Sequence, residues 1–390
     1  FTFVVFKTYK MNDMKGKQGL VCMGLLLVLS SCHTGKQITA SGLQRKDFQT
    51  EVNGQHTDLF TLSNKQGMEV CITNYGARVV SILVPDRNGK REDVVCGFST
   101  ITEYMEQRQN FGSTVGRYIG RILNARFTLD GVEYKLVPNN GKSGHISHGG
   151  NPGFADRIWK VEQADTHRVR LSYLSPDGEN GFPGNLKVTL VYSLGEDDNA
   201  LDLTYEATTD APTVLNLSHH SFFNISGNFT KSVEDQQLWV DADRFTPYDD
   251  KKCVTGEYLP VAGTPLDFRM PHTIGECIDA DHPQLKVVNG YDHTWELNTK
   301  GDDTRPAAWV YDPASGRKME IFTTEPGMQI YTGNGLKGKM TGKGGIAYPF
   351  RSAVCFETMH FQDSPNQPGF PSTVLRPGEV FRSHTVYKFE

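Results

Sequence analysis

Beyond residue 48 the chain alternates apolar and polar side chains with a period of two, as strands with one buried face do. Leu186, Val188, Leu190, Tyr192 and Leu194 interleave with Lys187, Thr189, Val191 and Ser193. Leu201, Leu203, Tyr205 and Ala207 do so with Asp202, Thr204 and Glu206. Val169, Leu171 and Tyr173 repeat the pattern, as do Met319 and Ile321. Turn signals separate the runs at Asn88-Gly89, Asp130-Gly131, Asn140-Gly141 and Asp177-Gly178. The second of these splits residues 124–136 into a predicted hairpin, and a short helix is expected only over 101–109. With 39 Gly and 19 Pro, long helices find little uninterrupted room. The class is all-β. No repeat of about 20 to 50 residues marks a propeller or solenoid, and no linker-like composition divides the chain after residue 47. The expectation is one domain over 48–390, a large antiparallel β-sandwich with elaborated loops.

The front of the chain reads differently. Lys15 and Lys17 precede an apolar stretch over 20–29, and Ser30-Ser31-Cys32 follows. A basic region, a short hydrophobic region and small residues before a cysteine match a bacterial lipoprotein signal. The stretch is too short to span a bilayer, which takes about 20 apolar residues. The expected plan is a signal segment over 1–32 with Cys32 lipidated, then a polar tether over 33–47. The domain would be exported, as a periplasmic or outer-membrane lipoprotein that meets the membrane only through its lipid anchor. Of the seven cysteines, Cys22 would leave with the signal and Cys32 take lipid. The other five contain no CxxC pair, so neither a disulfide framework nor a thiolate zinc site is expected; small buried apolar roles are. A net charge of −5 over 390 residues, without a basic run, argues against nucleic acid as a partner. Nothing indicates association beyond a monomer or weak dimer.

One carboxylate stands out. Glu357 lies inside the apolar, strand-like run 353–366, where an uncompensated buried charge costs roughly several kcal/mol. A glutamate taken alone is read as an edge-strand residue facing water. Other segments change that reading. Gly116-Arg117-Tyr118-Ile119-Gly120-Arg121, Ser147-His148-Gly149-Gly150, the histidine pair His219-His220 beside Phe222 and Phe223, Gly290-Tyr291-Asp292-His293 and the run from Gln329 to Asn334 add polar groups among aromatics. Together they offer Arg, His, Asp, Gln and Glu to hydroxyls and ring faces to C–H groups, the inventory for holding a sugar.

In this order, with Gly181-Phe182-Pro183-Gly184-Asn185 and Thr264-Pro265-Leu266-Asp267-Phe268-Arg269, the segments resemble the aldose 1-epimerase family, also called galactose mutarotases, over nearly all of 48–390. The resemblance implies a large antiparallel sandwich that binds a free monosaccharide such as galactose or glucose, with no organic cofactor and no metal. It assigns Glu357 as catalytic base and His220 as catalytic acid. His148 and Asp292 would hold sugar hydroxyls, Arg121 would contact the sugar and help position the site, and Gln329 would line the pocket. Two positions depart from the family's habit: Gly120 stands where asparagine commonly precedes the site arginine, and His219 where asparagine commonly precedes the acid histidine. These bear on sugar preference more than on reaction type.

The implied chemistry explains the residue types. A cyclic hemiacetal changes anomer when its C1 hydroxyl loses a proton and its ring oxygen gains one. The C1–O5 bond opens, rotation about C1–C2 turns the aldehyde over, and reversed transfers close the ring. One carboxylate base and one imidazolium acid suffice if both reach these oxygens at about 2.6–3.2 Å, and histidine titrates nearest neutrality. Plainer readings remain for each residue: His220 as a satisfied core group, His148 as a loop residue, Asp292 as a turn residue, Arg121 in a structural ion pair. His219 and His220, adjacent on a strand, should point to opposite faces. His145 and His148 lack a third ligand for a metal. A glycoside hydrolase using Glu357 and Asp292 and a non-catalytic sugar-binding lipoprotein are the alternative functions.

Overall fold

The computed structural model describes residues 37–390. The signal segment, Cys32 and the start of the tether lie outside the described residues. The alternating runs become long antiparallel strands: Arg168–Ser175, Leu186–Leu194 and Ala200–Thr209 pair in sequence order. The next neighbour of Ala200–Thr209 is not the next in sequence but the C-terminal strand Phe381–Phe389. That strand pairs on its other side with Lys318–Thr323, and the resulting sheet has nine strands.

A six-stranded sheet faces it, ordered Phe222–Phe223, Val354–Met359, Gly327–Tyr331, Asp292–Glu296, Arg244–Thr246 and Leu259–Pro260. The two sheets share one core. Val188, Leu190, Leu203 and Tyr387 from the first pack with Trp295, Met328, Ile330, Val354 and Phe356 from the second. Polar atoms inside the interface are paired, as burial demands: Tyr387 donates its hydroxyl to the Phe356 carbonyl at 3.0 Å, and the Thr358 and Thr385 hydroxyls meet at 2.7 Å. One face of the six-stranded sheet is therefore committed to the core, and the opposite face is left for other work.

A four-stranded sheet, Leu59–Ser63, Glu69–Thr73, Arg78–Pro85 and Arg91–Asp93, completes the framework. Its second strand is buried along its whole length, so it shows no apolar–polar alternation. The segment 37–47, expected as the end of a tether, is folded against this sheet. Glu69 is 2% exposed and its Oε1 accepts from the Ala40 and Ser41 amides at 2.7 and 3.2 Å. A buried carboxylate must find donors, and this segment supplies them. Leu43 and Phe48 are buried beside it.

The predicted helix forms over Ile101–Gln107, with a reciprocal capping box between Thr100 and Glu103. A second helix, Pro283–Val288, was not expected, because six residues are too few for a 3.6-residue period to show. The hairpin of 124–136 appears as Arg126–Leu129 paired with Val132–Lys135. Among the described residues Cys71, Cys96 and Cys355 are free and buried, while Cys253 and Cys277 are half-buried, so the expectation of five buried cysteines holds for three.

Candidate active site

On the six-stranded sheet the period of two sorts each strand's side chains. Val354, Phe356 and Thr358 point to the core, which turns Cys355, Glu357 and Met359 to the other face. The same rule turns Gln329 and Tyr331 out of the strand Gly327–Tyr331, and Asp292 and Thr294 out of Asp292–Glu296. Strand register then aligns them: Thr294 lies opposite Gln329 and Gln329 opposite Glu357, while Asp292 lies opposite Tyr331 and Tyr331 opposite Cys355. Three strands from distant parts of the chain thus place two polar rows side by side.

Two further strand pairs close the space. Ser218–His220 pairs with Ser113–Val115 and sends alternate side chains opposite ways. His219 turns inward, where its Nε2 meets the Ser221 hydroxyl at 2.6 Å and its ring lies against Tyr192 and Tyr387. His220 turns towards Glu357. Arg121–Ile122 pairs with Ile146–Ser147, and the chain beyond Ser147 turns sharply. His148 takes a φ of +52°, and a Cβ at Gly149 would lie 1.9 Å from the Gly116 carbonyl oxygen. Only glycine permits that approach. The turn sets the His148 ring edge-on to His220 with centroids 5.5 Å apart.

The result is a hollow of about 250 Å³ lined by Arg121, His148, His220, Asp292, Gln329 and Glu357, with Gln109, Asn110, Gly120, Ser147 and Gln362. Phe222, Tyr331 and Met359 supply its apolar wall. All six residues selected from the sequence converge there, each more than twenty positions from the next along the chain. Phe222, Tyr331 and Gln362 lie in segments already picked out but had no assigned part. Tyr248, which holds two of the polar side chains, carried no signal in the sequence.

At the centre His220 Nε2 stands 3.3 Å from Glu357 Oε1, and both side chains are almost wholly buried, 7% and 5% exposed. Burial, with Asp292 adding to it, pushes the Glu357 carboxyl well above the usual carboxylate range. Burial also lowers His220 to about 4, opposed by a backbone hydrogen bond and reinforced by Arg78. Both shifts disfavour charge, so the pair favours a carboxylic acid beside a neutral imidazole over two separated ions. Passing the proton from oxygen to nitrogen converts a carboxylic acid and imidazole into a carboxylate and imidazolium without changing net charge.

The surrounding groups are set as acceptors and donors. Burial raises Asp292, while Arg121 and a hydrogen bond from Gln329 Nε2 at 2.6 Å work against that rise. Burial, His220 and Arg121 lower His148 to about 3, so it is a neutral imidazole. Arg121 Nη1 donates to the Lys252 carbonyl at 3.3 Å, and it makes no ion pair among the described residues. The two histidines considered for a metal diverge: His145 Nδ1 accepts from the Asn124 amide and its Nε2 meets Cys253 Sγ at 3.3 Å. Ligand atoms of His220, Cys355 and Glu357 do lie within 4.8 Å of one another. However, the two nitrogens of His220 face different partners, Nδ1 the thiol at 3.7 Å and Nε2 the carboxyl.

A broad antiparallel sandwich that gathers a buried carboxyl–imidazole pair and further polar side chains among aromatics in one small hollow defines a carbohydrate-handling β-sandwich enzyme. Comparison with known proteins narrows the class. The sequence model of the family described as aldose 1-epimerase matches residues 58–388. The chain belongs to the aldose 1-epimerase family, whose members are isomerases. It is 39% identical over 330 residues to a protein named galactose mutarotase from Sus scrofa, covering 85% of this chain and 93% of that one. An aldose 1-epimerase from Escherichia coli is 36% identical over 339 residues, covering 86% and 96%. Among solved structures, an aldose epimerase homologue from C. elegans superposes with a TM-score of 0.79 at 31% identity, covering 86% of this chain and 99% of that chain.

Proposed function

We propose that this protein equilibrates the α and β anomers of free hexoses such as galactose and glucose. The observation that carries this reading is the 3.3 Å contact between His220 Nε2 and Glu357 Oε1, inside a hollow sized for a single sugar ring. Mutarotation consumes no net proton, and a pair that holds one proton can give one and take one in a single event.

Glu357 Oε1, as carboxylate, takes the proton from the C1 hydroxyl. His220 Nε2, as imidazolium, delivers one to the ring oxygen. The C1–O5 bond breaks, the aldehyde forms, rotation about C1–C2 exposes its other face, and the two transfers reverse. His148 and Asp292 bind hydroxyls away from C1, Arg121 donates to the sugar oxygens, and Gln329 lines the floor. Phe222, Tyr331 and Met359 pack against C–H faces. Relatives named galactose mutarotase, and a solved structure named galactose 1-epimerase at 28% identity and a TM-score of 0.76, support galactose as one substrate. The hydrolase alternative has weaker support, since Asp292 is engaged by Gln329 and, among the described residues, no further carboxyl lines the hollow beside Glu357. Polarimetry of freshly dissolved α-D-galactose and α-D-glucose tests the reading: the first-order relaxation rate should rise in proportion to protein concentration. A rate equal to that of buffer alone would refute it.

Export is part of the proposal. The basic flank, the apolar stretch over 20–29 and Ser30-Ser31-Cys32 support lipidation of Cys32, which would place the domain where glycosidases release sugars as single anomers. Equilibrating these would serve carriers that accept one form only. Expressed from a start at Met14, the chain should incorporate labelled palmitate and sediment with membranes, and Cys32→Ala should lose both. Unlabelled protein in the cytosolic fraction would remove this part.

A further inference from the structure

Gly120 and Gln362 fit each other as complementary parts. Gly120 takes a φ of +75°, and a Cβ built on it would lie 2.5 Å from Gln362 Cγ and 3.1 Å from its Cδ. The Gln362 side chain fills the volume that any residue at 120 would claim. It is 5% exposed and reaches in three directions. Its Nε2 donates to the Tyr248 hydroxyl at 2.7 Å and to Gln329 Oε1 at 3.3 Å, and its Oε1 accepts from the Arg121 amide at 3.3 Å.

Those contacts extend through Gln329 to Asp292. Gln329 Oε1 also accepts from the Thr294 hydroxyl at 2.5 Å. With two donors aimed at its oxygen, the Gln329 amide cannot flip, so its Nε2 must face Asp292 Oδ1. A flipped amide would set oxygen against carboxylate. Gln362 therefore ties the strand carrying Arg121 to the polar row of the six-stranded sheet, and it presents Asp292 as an oriented acceptor.

We propose that Gln362 is a positioning residue for sugar binding, acting through Gln329 on Asp292 and through the backbone of Arg121, and that glycine at 120 is the condition for its seat. The inference rests on the epimerase reading and deepens it, because the amide that asparagine would bring at 120 is supplied here from the opposite wall.

The test uses the full domain, with kcat and KM from polarimetry and galactose affinity from calorimetry. Gln362→Ala should raise KM and weaken affinity about tenfold, the ordinary effect of a lost buried hydrogen-bonding group, while kcat stays within about twofold because the proton-transfer pair is untouched. Gly120→Asn should do the same by displacing Gln362. The double variant Gly120→Asn/Gln362→Ala should recover KM to within about threefold of wild type, since asparagine tolerates positive φ and its amide enters the vacated volume. If Gln362→Ala does not fold, Gln362→Glu carries the same expectation, since it removes the donor and keeps the volume. An unchanged KM in the single variants, or a double variant whose KM rises by the product of the two, would overturn the inference. Wild-type protein that fails to accelerate mutarotation is a separate result and would overturn the epimerase reading instead.

Discussion

Glu357→Gln is expected to lower kcat for galactose mutarotation by about 10² to 10⁴-fold, the range for a lost general base, while galactose affinity stays within a few-fold of wild type. Glutamine matches glutamate in shape and can still hydrogen-bond, but it takes no proton. Packing should survive as well. Glu357 is 4% exposed in a strand buried throughout, and exchanging a buried carboxyl for an amide lowers the penalty for burying charge. The variant should therefore melt no lower than wild type. Polarimetry, calorimetry and thermal melting together decide the matter. A wild-type rate in a folded Glu357→Gln protein would eliminate the mechanism.

His220→Asn should cost as much, for a reason beyond the lost acid. Without imidazole, the remaining proton stays on Glu357, whose affinity for it burial has raised, so the base is disabled too. The double variant should thus be no slower than either single one, the non-additivity of groups that act as a unit. The same pair sets the pH dependence. Its active form carries one proton, and a second is added only as pH falls through the His220 value of about 4. Wild-type kcat/KM should fall on acidification near that value, as the second proton disables the pair. An acid limb centred at the ordinary histidine value of about 6.5 would contradict a buried, coupled pair. Two independent, multiplicative losses in the double variant would contradict it as well.

Much of the architecture could be read from local pattern. The strands Leu186–Leu194 and Ala200–Thr209 each have one face in the core and one towards solvent, so side-chain polarity reported their structure directly. The strands at the site were harder. Val354–Met359 is buried on both faces, which erases the alternation, and only the charge of Glu357 betrayed that its second face is special. The two inner strands of the four-stranded sheet, Glu69–Thr73 and Arg78–Pro85, lack alternation for the same reason. The folding of residues 37–47 onto this sheet left no local pattern, because those residues are mostly polar and are held by distant groups such as Glu69 and Asp58. Selecting Arg121, His148, His220, Asp292, Gln329 and Glu357 required several segments at once, since each alone has a plain structural explanation.

The order of residues was enough to establish an antiparallel β architecture, the groups available for sugar chemistry and the opposed directions of His219 and His220, because period, charge and chain direction are local properties. Sheet register and loop closure made the rest. They brought Glu357 to 3.3 Å from an imidazole 137 positions earlier in the chain, removed both from water, and seated Gln362 in the space left by Gly120. Proton affinity and hydrogen-bond direction depend on what surrounds a group, and those surroundings exist only once distant strands have packed.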